Sequence, residues 1–133
     1  MKEVNDIVAS YQTANDDAKM DILSGIIDDL DLSTYKFLLG ELHNDDLDEF
    51  VAIEIIKAIS LYSPKSKSEK TIQALFSIVE NSDDDLVKIY ALRGLGYFTL
   101  TENYYNSIKE IMESSSNEDL RATARKVLSG ASS

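Results

Sequence analysis

Apolar residues recur every three or four positions along nearly the whole 133-residue chain, in short blocks separated by polar residues. This spacing puts each block's apolar side chains on one face of a helix and fits no strand pattern. Eight blocks follow: about 2–13, 16–29, 33–43, 47–62, 67–81, 84–98, 102–115 and 118–129. Their lengths suit globular helices, and the connections are only a few residues long. Glycine is scarce, at 5 residues, and the one proline is Pro64, so little interrupts a helical reading. An all-α chain is expected, and 133 residues suffice for one domain.

The breaks between blocks have physical causes. Ser33 precedes Tyr35-Lys36-Phe37-Leu38-Leu39 and Thr101 precedes Glu102-Asn103-Tyr104, each as a candidate N-cap. Asp45-Asp46, Asp83-Asp84-Asp85 and Asn117-Glu118-Asp119 stand just before blocks, where side-chain oxygens satisfy free amides and carboxylates favour the positive end of the helix dipole. Pro64 ends the fourth block, and Lys65-Ser66-Lys67-Ser68 follows as the longest connection.

The even-numbered blocks repeat. Asp48-x-x-Val51-Ala52-x-x-Ile55-x-x-x-Ile59-Ser60 lies beside Asp84-x-x-Val87-Lys88-x-x-Ala91-x-x-x-Leu95-Gly96 at an offset of 36 residues. An offset of 33 carries the latter onto Leu120-Arg121-x-x-Ala124-x-x-x-Leu128-Ser129, and the same offset carries Ala18-Lys19-x-x-Ile22-x-x-x-Ile26 onto the fourth block. Four helix pairs at this period, about 2–29, 33–62, 67–98 and 102–129, imply a stack in which each pair buries its apolar stripe against its neighbours.

The run Asp84-Asp85-Leu86-Val87-Lys88-Ile89-Tyr90-Ala91-Leu92-Arg93-Gly94-Leu95-Gly96 resembles the second helix of a HEAT repeat, and Asn117 to Leu128 is similar to it again. The resemblance implies a single HEAT-like domain over residues 1–133, a right-handed superhelical stack of about four antiparallel helix pairs. It also implies that second helices line the concave side, and that Asp84 with Lys88, and Arg121 at the matching basic position, support stacking. Ala52 replaces that base in the second pair, and the first pair is poorly marked, so it is either a true repeat or a cap.

Charge narrows the partner. There are 24 acids against 13 bases, a net charge of −11, and residues 1–66 hold 14 of the acids and 5 of the bases. Such a balance disfavours phosphate backbones and anionic lipid, which rely on Lys and Arg to replace counterions, and favours a basic protein. With no cysteine, disulfides, thiolate nucleophiles and cysteine-ligated metals are excluded. The opening MKEVNDIVAS lacks the apolar core of a signal peptide and no stretch approaches a membrane span, so a soluble cytoplasmic protein is expected.

Residues able to carry chemistry are few. His43 is the only histidine, and Glu41, two positions away, cannot share its helical face. Asp83-Asp84-Asp85 and Asp45-Asp46-x-Asp48-Glu49 lack the alternating ligands and terminal glutamate of a calcium loop and are better read as capping. Gly94-x-Gly96 lies inside a helix pattern and is no phosphate loop. No catalytic, cofactor-binding or metal site is therefore expected. Tyr90, Arg93 and Tyr97 fall at offsets of three and seven, turned from the Val87, Ala91 and Leu95 stripe, and form a candidate partner-binding edge. The same face on earlier second helices holds Asp17, Asp21, Ser24 and Asp28, then Glu54 and Lys57. A groove acidic at one end and aromatic toward the other is expected.

A small acidic helical-repeat chain without enzyme motifs is similar in type to immunity proteins of contact-dependent growth inhibition and other polymorphic toxin systems. That likeness implies a bacterial inhibitor that covers the active site of a basic nuclease toxin, with Asp21, Asp28, Asp45, Asp46, Asp48, Glu54, Tyr90, Arg93 and Tyr97 at the interface. A cytoplasmic adaptor or assembly scaffold is the alternative, and a helical-repeat enzyme or cofactor-handling protein a third. Oligomeric state is left open.

Overall fold

A computed structural model describes residues 4–26, 30–44, 46–62 and 68–129. Among the described residues it contains eight α-helices and no strand. They are α1 (Val4–Thr13), α2 (Asp16–Ile26), α3 (Leu32–Glu41), α4 (Glu49–Ser60), α5 (Ser68–Asn81), α6 (Asp85–Leu95), α7 (Glu102–Ser114) and α8 (Glu118–Ser129). No helix among these residues is long and apolar enough to cross a membrane.

Each even-numbered helix begins on an Asp or Asn whose side-chain oxygen accepts a first-turn amide. Asn15 accepts from Ala18 at 2.9 Å, Asp48 from Phe50 and Val51 at 3.0 and 3.2 Å, Asp84 from Val87 at 3.0 Å, and Asn117 from Leu120 at 2.9 Å. These caps are spaced 33, 36 and 33 residues apart, the period of the apolar repeat. Such bonds satisfy amides that no helical carbonyl can reach. The turns before α6 and α8 repeat as well. Ser82 Oγ accepts from the Asp84 amide at 3.1 Å, and Ser115 Oγ from the Asn117 amide at 3.2 Å.

The expected caps on odd-numbered helices differ. Asp31, not Ser33, caps α3, accepting from the Thr34 amide at 2.8 Å, and the helix starts at Leu32 with Ser33 inside its first turn. Thr101 precedes α7 in extended conformation, but its side chain makes no capping bond.

The chain divides into two compact units, residues 1–64 and 65–133. In the first, α1 packs on α2 and α3, and α4 packs on α2 and α3. Its α4 buries Val51, Ala52, Ile53, Ile55, Ile56, Ala58 and Ile59 and leaves Glu49, Phe50 and Lys57 exposed along one side, as an amphipathic helix does. Tyr35 stacks on Tyr62 with ring centroids 4.1 Å apart and planes 15° from parallel, while Tyr11 meets Phe37 edge-on at 5.4 Å. In the second unit, α5 packs on α6, α7 on α8, and α6 on α8. Ala91, Leu92, Leu95, Ile108 and Ala124 are fully buried there, and Phe76 packs against Tyr104 at 5.1 Å. Gly94 is buried within α6.

Candidate functional site

In the second unit, α6 and α8 lie side by side and leave an open groove of about 560 Å³ between them. Leu86, Ile89, Tyr90 and Arg93 form the α6 wall, and Asp119, Ala122, Thr123 and Lys126 form the α8 wall. The two walls match position by position, since each α8 residue lies 33 residues beyond its α6 counterpart. The groove is therefore a product of the repeat. Both helices turn a buried stripe inward, Val87, Ala91 and Leu95 on α6 and Leu120, Ala124 and Val127 on α8. The positions beside that stripe are left to line the groove.

Its chemistry is mixed. Leu86 is 42% exposed and forms an apolar lip, with Ile89 and Ala122 beside it. The Arg93 guanidinium carbon sits 5.2 Å from the Tyr90 ring centroid, a cation–π arrangement that presents both side chains together. Lys126 stands at the position on α8 that matches Arg93. Asp119, matching Leu86, is the one acid in the lining.

The structure brings two of the three expected edge residues, Tyr90 and Arg93, into this groove and leaves Tyr97 outside it. Helix α6 ends at Leu95, and the Tyr97 amide bonds the Gly94 carbonyl at 3.1 Å in a tighter turn. The helical register that would align Tyr97 with Tyr90 has stopped by then. Tyr97 is 54% exposed all the same.

The acidic candidates belong to the first unit. Asp21 is exposed on α2, and Glu54 is half-buried on α4, bonded to Lys57 at 3.3 Å. They stand six residues after the Asn15 and Asp48 caps, the same step that separates Tyr90 from Asp84. Asp46 is exposed, and its amide donates to Asn44 Oδ1 at 3.0 Å. Asp48 uses its carboxylate to cap α4. Asp28 and Asp45 lie outside the described residues.

A face drawn from Tyr90, Arg93 and Tyr97 misses Leu86, Ile89 and every α8 residue of the groove. Shifting Tyr90 and Arg93 by the 33-residue period lands on Thr123 and Lys126 and would have found them. Arg121 donates from Nη1 to the Ser115 carbonyl at 2.9 Å and so braces the turn between α7 and α8. His43 is exposed, and among the described residues no group of three or more His, Asp or Glu side chains is arranged to hold a metal ion. No protein-family model, curated protein or solved structure matches the chain.

Proposed function

We propose that this chain is a non-catalytic, HEAT-like protein-binding domain, and that it acts as an immunity protein that neutralises a basic toxin by covering its active site. The observation that carries the binding role is the α6–α8 groove, where an exposed leucine and a Tyr–Arg pair stand on rigid helices. Such side chains combine contact area with polar reach, the pattern of residues that dominate protein interfaces. The solenoid reading, a right-handed stack of antiparallel pairs, draws support from packing between alternate helices, α2 on α4 and α6 on α8, and from the periodic caps.

The narrower immunity role draws support from charge. A net charge of −11, with exposed carboxylates such as Asp21 and Asp46, would steer a basic nuclease domain and compete with its nucleic acid. One observation favours the adaptor alternative. The groove lining holds two cations against one acid, so it is not the acidic channel that a purely electrostatic inhibitor would present.

The deciding experiment is affinity capture from the native organism with the full chain as bait, followed by salt titration of the recovered partner. A single basic toxin domain, bound tightly and associating more slowly as salt rises, is the expected result. Recovery of several resident proteins and no toxin overturns the immunity role and leaves the adaptor.

A further inference from the structure

We propose that the α6–α8 groove receives a short segment of a protein partner carrying a carboxylate about 10 Å from a large apolar side chain, the carboxylate between Arg93 and Lys126 and the apolar group on Leu86. This deepens the protein-binding reading and rests on it.

The polarity of the groove sets the occupant. Arg93 and Lys126 occupy matched positions in the last turns of α6 and α8, so two cations stand together at one end. Neither takes part in an ion pair among the described residues. A base in the last turn of a helix complements the dipole of that helix. That effect alone would not set both bases in one groove beside an aromatic ring and an exposed leucine. A carboxylate between them would gain charge-assisted bonds, in a bidentate geometry where it meets the guanidinium.

Seven residues separate Leu86 from Arg93 on α6, or roughly 10 Å along the axis at 1.5 Å per residue. An occupant that satisfies both ends needs its acid and its apolar residue about three positions apart if extended, or about seven apart if helical. Asp119 lines the α8 wall at the position that matches Leu86 and would repel a second carboxylate at that end, which fixes the direction in which the segment lies.

The test is panning of a random-peptide phage library on the full chain, followed by fluorescence anisotropy with the selected peptide made synthetically. Selected sequences should pair Asp or Glu with Leu, Phe or Met at one of the two spacings. Binding should weaken about tenfold or more in the R93E/K126E variant, while R125E, on α8 outside this groove, stays within about twofold. Replacing the peptide's acid by lysine should restore binding to R93E/K126E and abolish it with the wild type, an outcome that misfolding of the variant cannot produce.

Selection of basic peptides, of no peptide, or of acidic peptides indifferent to R93E/K126E would overturn the inference. So would sedimentation showing that the wild type self-associates through this groove and R93E does not, or binding of a DNA duplex that depends on Arg93. Capture of a partner that R93E/K126E still holds with full affinity defeats the groove assignment alone, whereas failure to capture any protein partner defeats the binding reading beneath it.

Discussion

Asn117 Nδ2 donates to Asp85 Oδ2 across 3.1 Å and thereby ties the first turn of α8 to the first turn of α6. The same Asn117 caps α8 through its Oδ1, which accepts from the Leu120 amide. One side chain thus starts α8 and registers it against α6, which aligns the two walls of the groove.

The substitution N117D separates these two roles. An aspartate still caps the helix, but it loses the donor and sets a second carboxylate against Asp85. We expect a loss of about 1 kcal/mol in urea denaturation, and recovery of most of it in N117D/D85N, whose new amide can donate back. Additive effects of the two substitutions would show that the contact carries no coupling.

Thr34 offers the opposite case. Its hydroxyl is buried in α3, the residue is 3% exposed, and Oγ1 has no hydrogen-bond partner among the described residues. Because T34V removes an unmet polar group at nearly constant volume, it should stabilise the chain by up to about 1 kcal/mol. A rise in Tm without change in the circular dichroism spectrum is the expected readout, and a fall would mean that the hydroxyl is bonded in solution.

Tyr11 should limit stability in alkali. Its ring is 2% exposed, no acceptor among the described residues stands in hydrogen-bonding geometry to its hydroxyl, and burial, followed by the neighbouring Glu41 and Asp16 carboxylates, holds its ionisation well above the ordinary tyrosine value. Lys19 lies over the ring at 4.9 Å. The folded state therefore keeps a proton that the unfolded state releases first. The contribution is complete below about pH 10 and is lost as pH rises through the elevated folded value. Denaturation series from pH 8 upward should show the wild type losing stability more steeply than Y11F, and parallel curves would contradict the assignment.

The Tyr35–Tyr62 stack should carry much of the first unit's packing. Tyr35 is fully buried, so Y35A should cost about 3–5 kcal/mol through the cavity it leaves. Tyr62 is only partly buried, and Y62A should cost distinctly less. Urea midpoints for the two variants give the comparison, and equal losses would mean that the stack acts as a single unit.

Local chemistry was legible in the chain. Helix content follows from apolar spacing, and the caps at Asp48, Asp84 and Asn117 follow from residues whose oxygens reach an amide two or three positions ahead. These are interactions within one turn, so neighbours in sequence suffice to specify them. The 33- and 36-residue period belongs to the same class, because equal local patterns produce equal helices. Even here the cap expected at Ser33 falls on Asp31, two residues earlier, because the backbone turns helical at Leu32 and carries Ser33 into the first turn.

Tertiary packing decided the rest. That Leu86 and Lys126 share one groove depends on the distance between two helices, which no spacing along the chain encodes. The end of α6 at Leu95, which removes Tyr97 from the face of Tyr90, and the bond that turns Arg121 toward Ser115 both depend on where the next segment lies. Charge shows the same division. The sequence alone determines a net charge of −11, but the fold gathers Arg93 and Lys126 at one end of a groove, because packing buries the apolar stripe and brings the residues flanking it together.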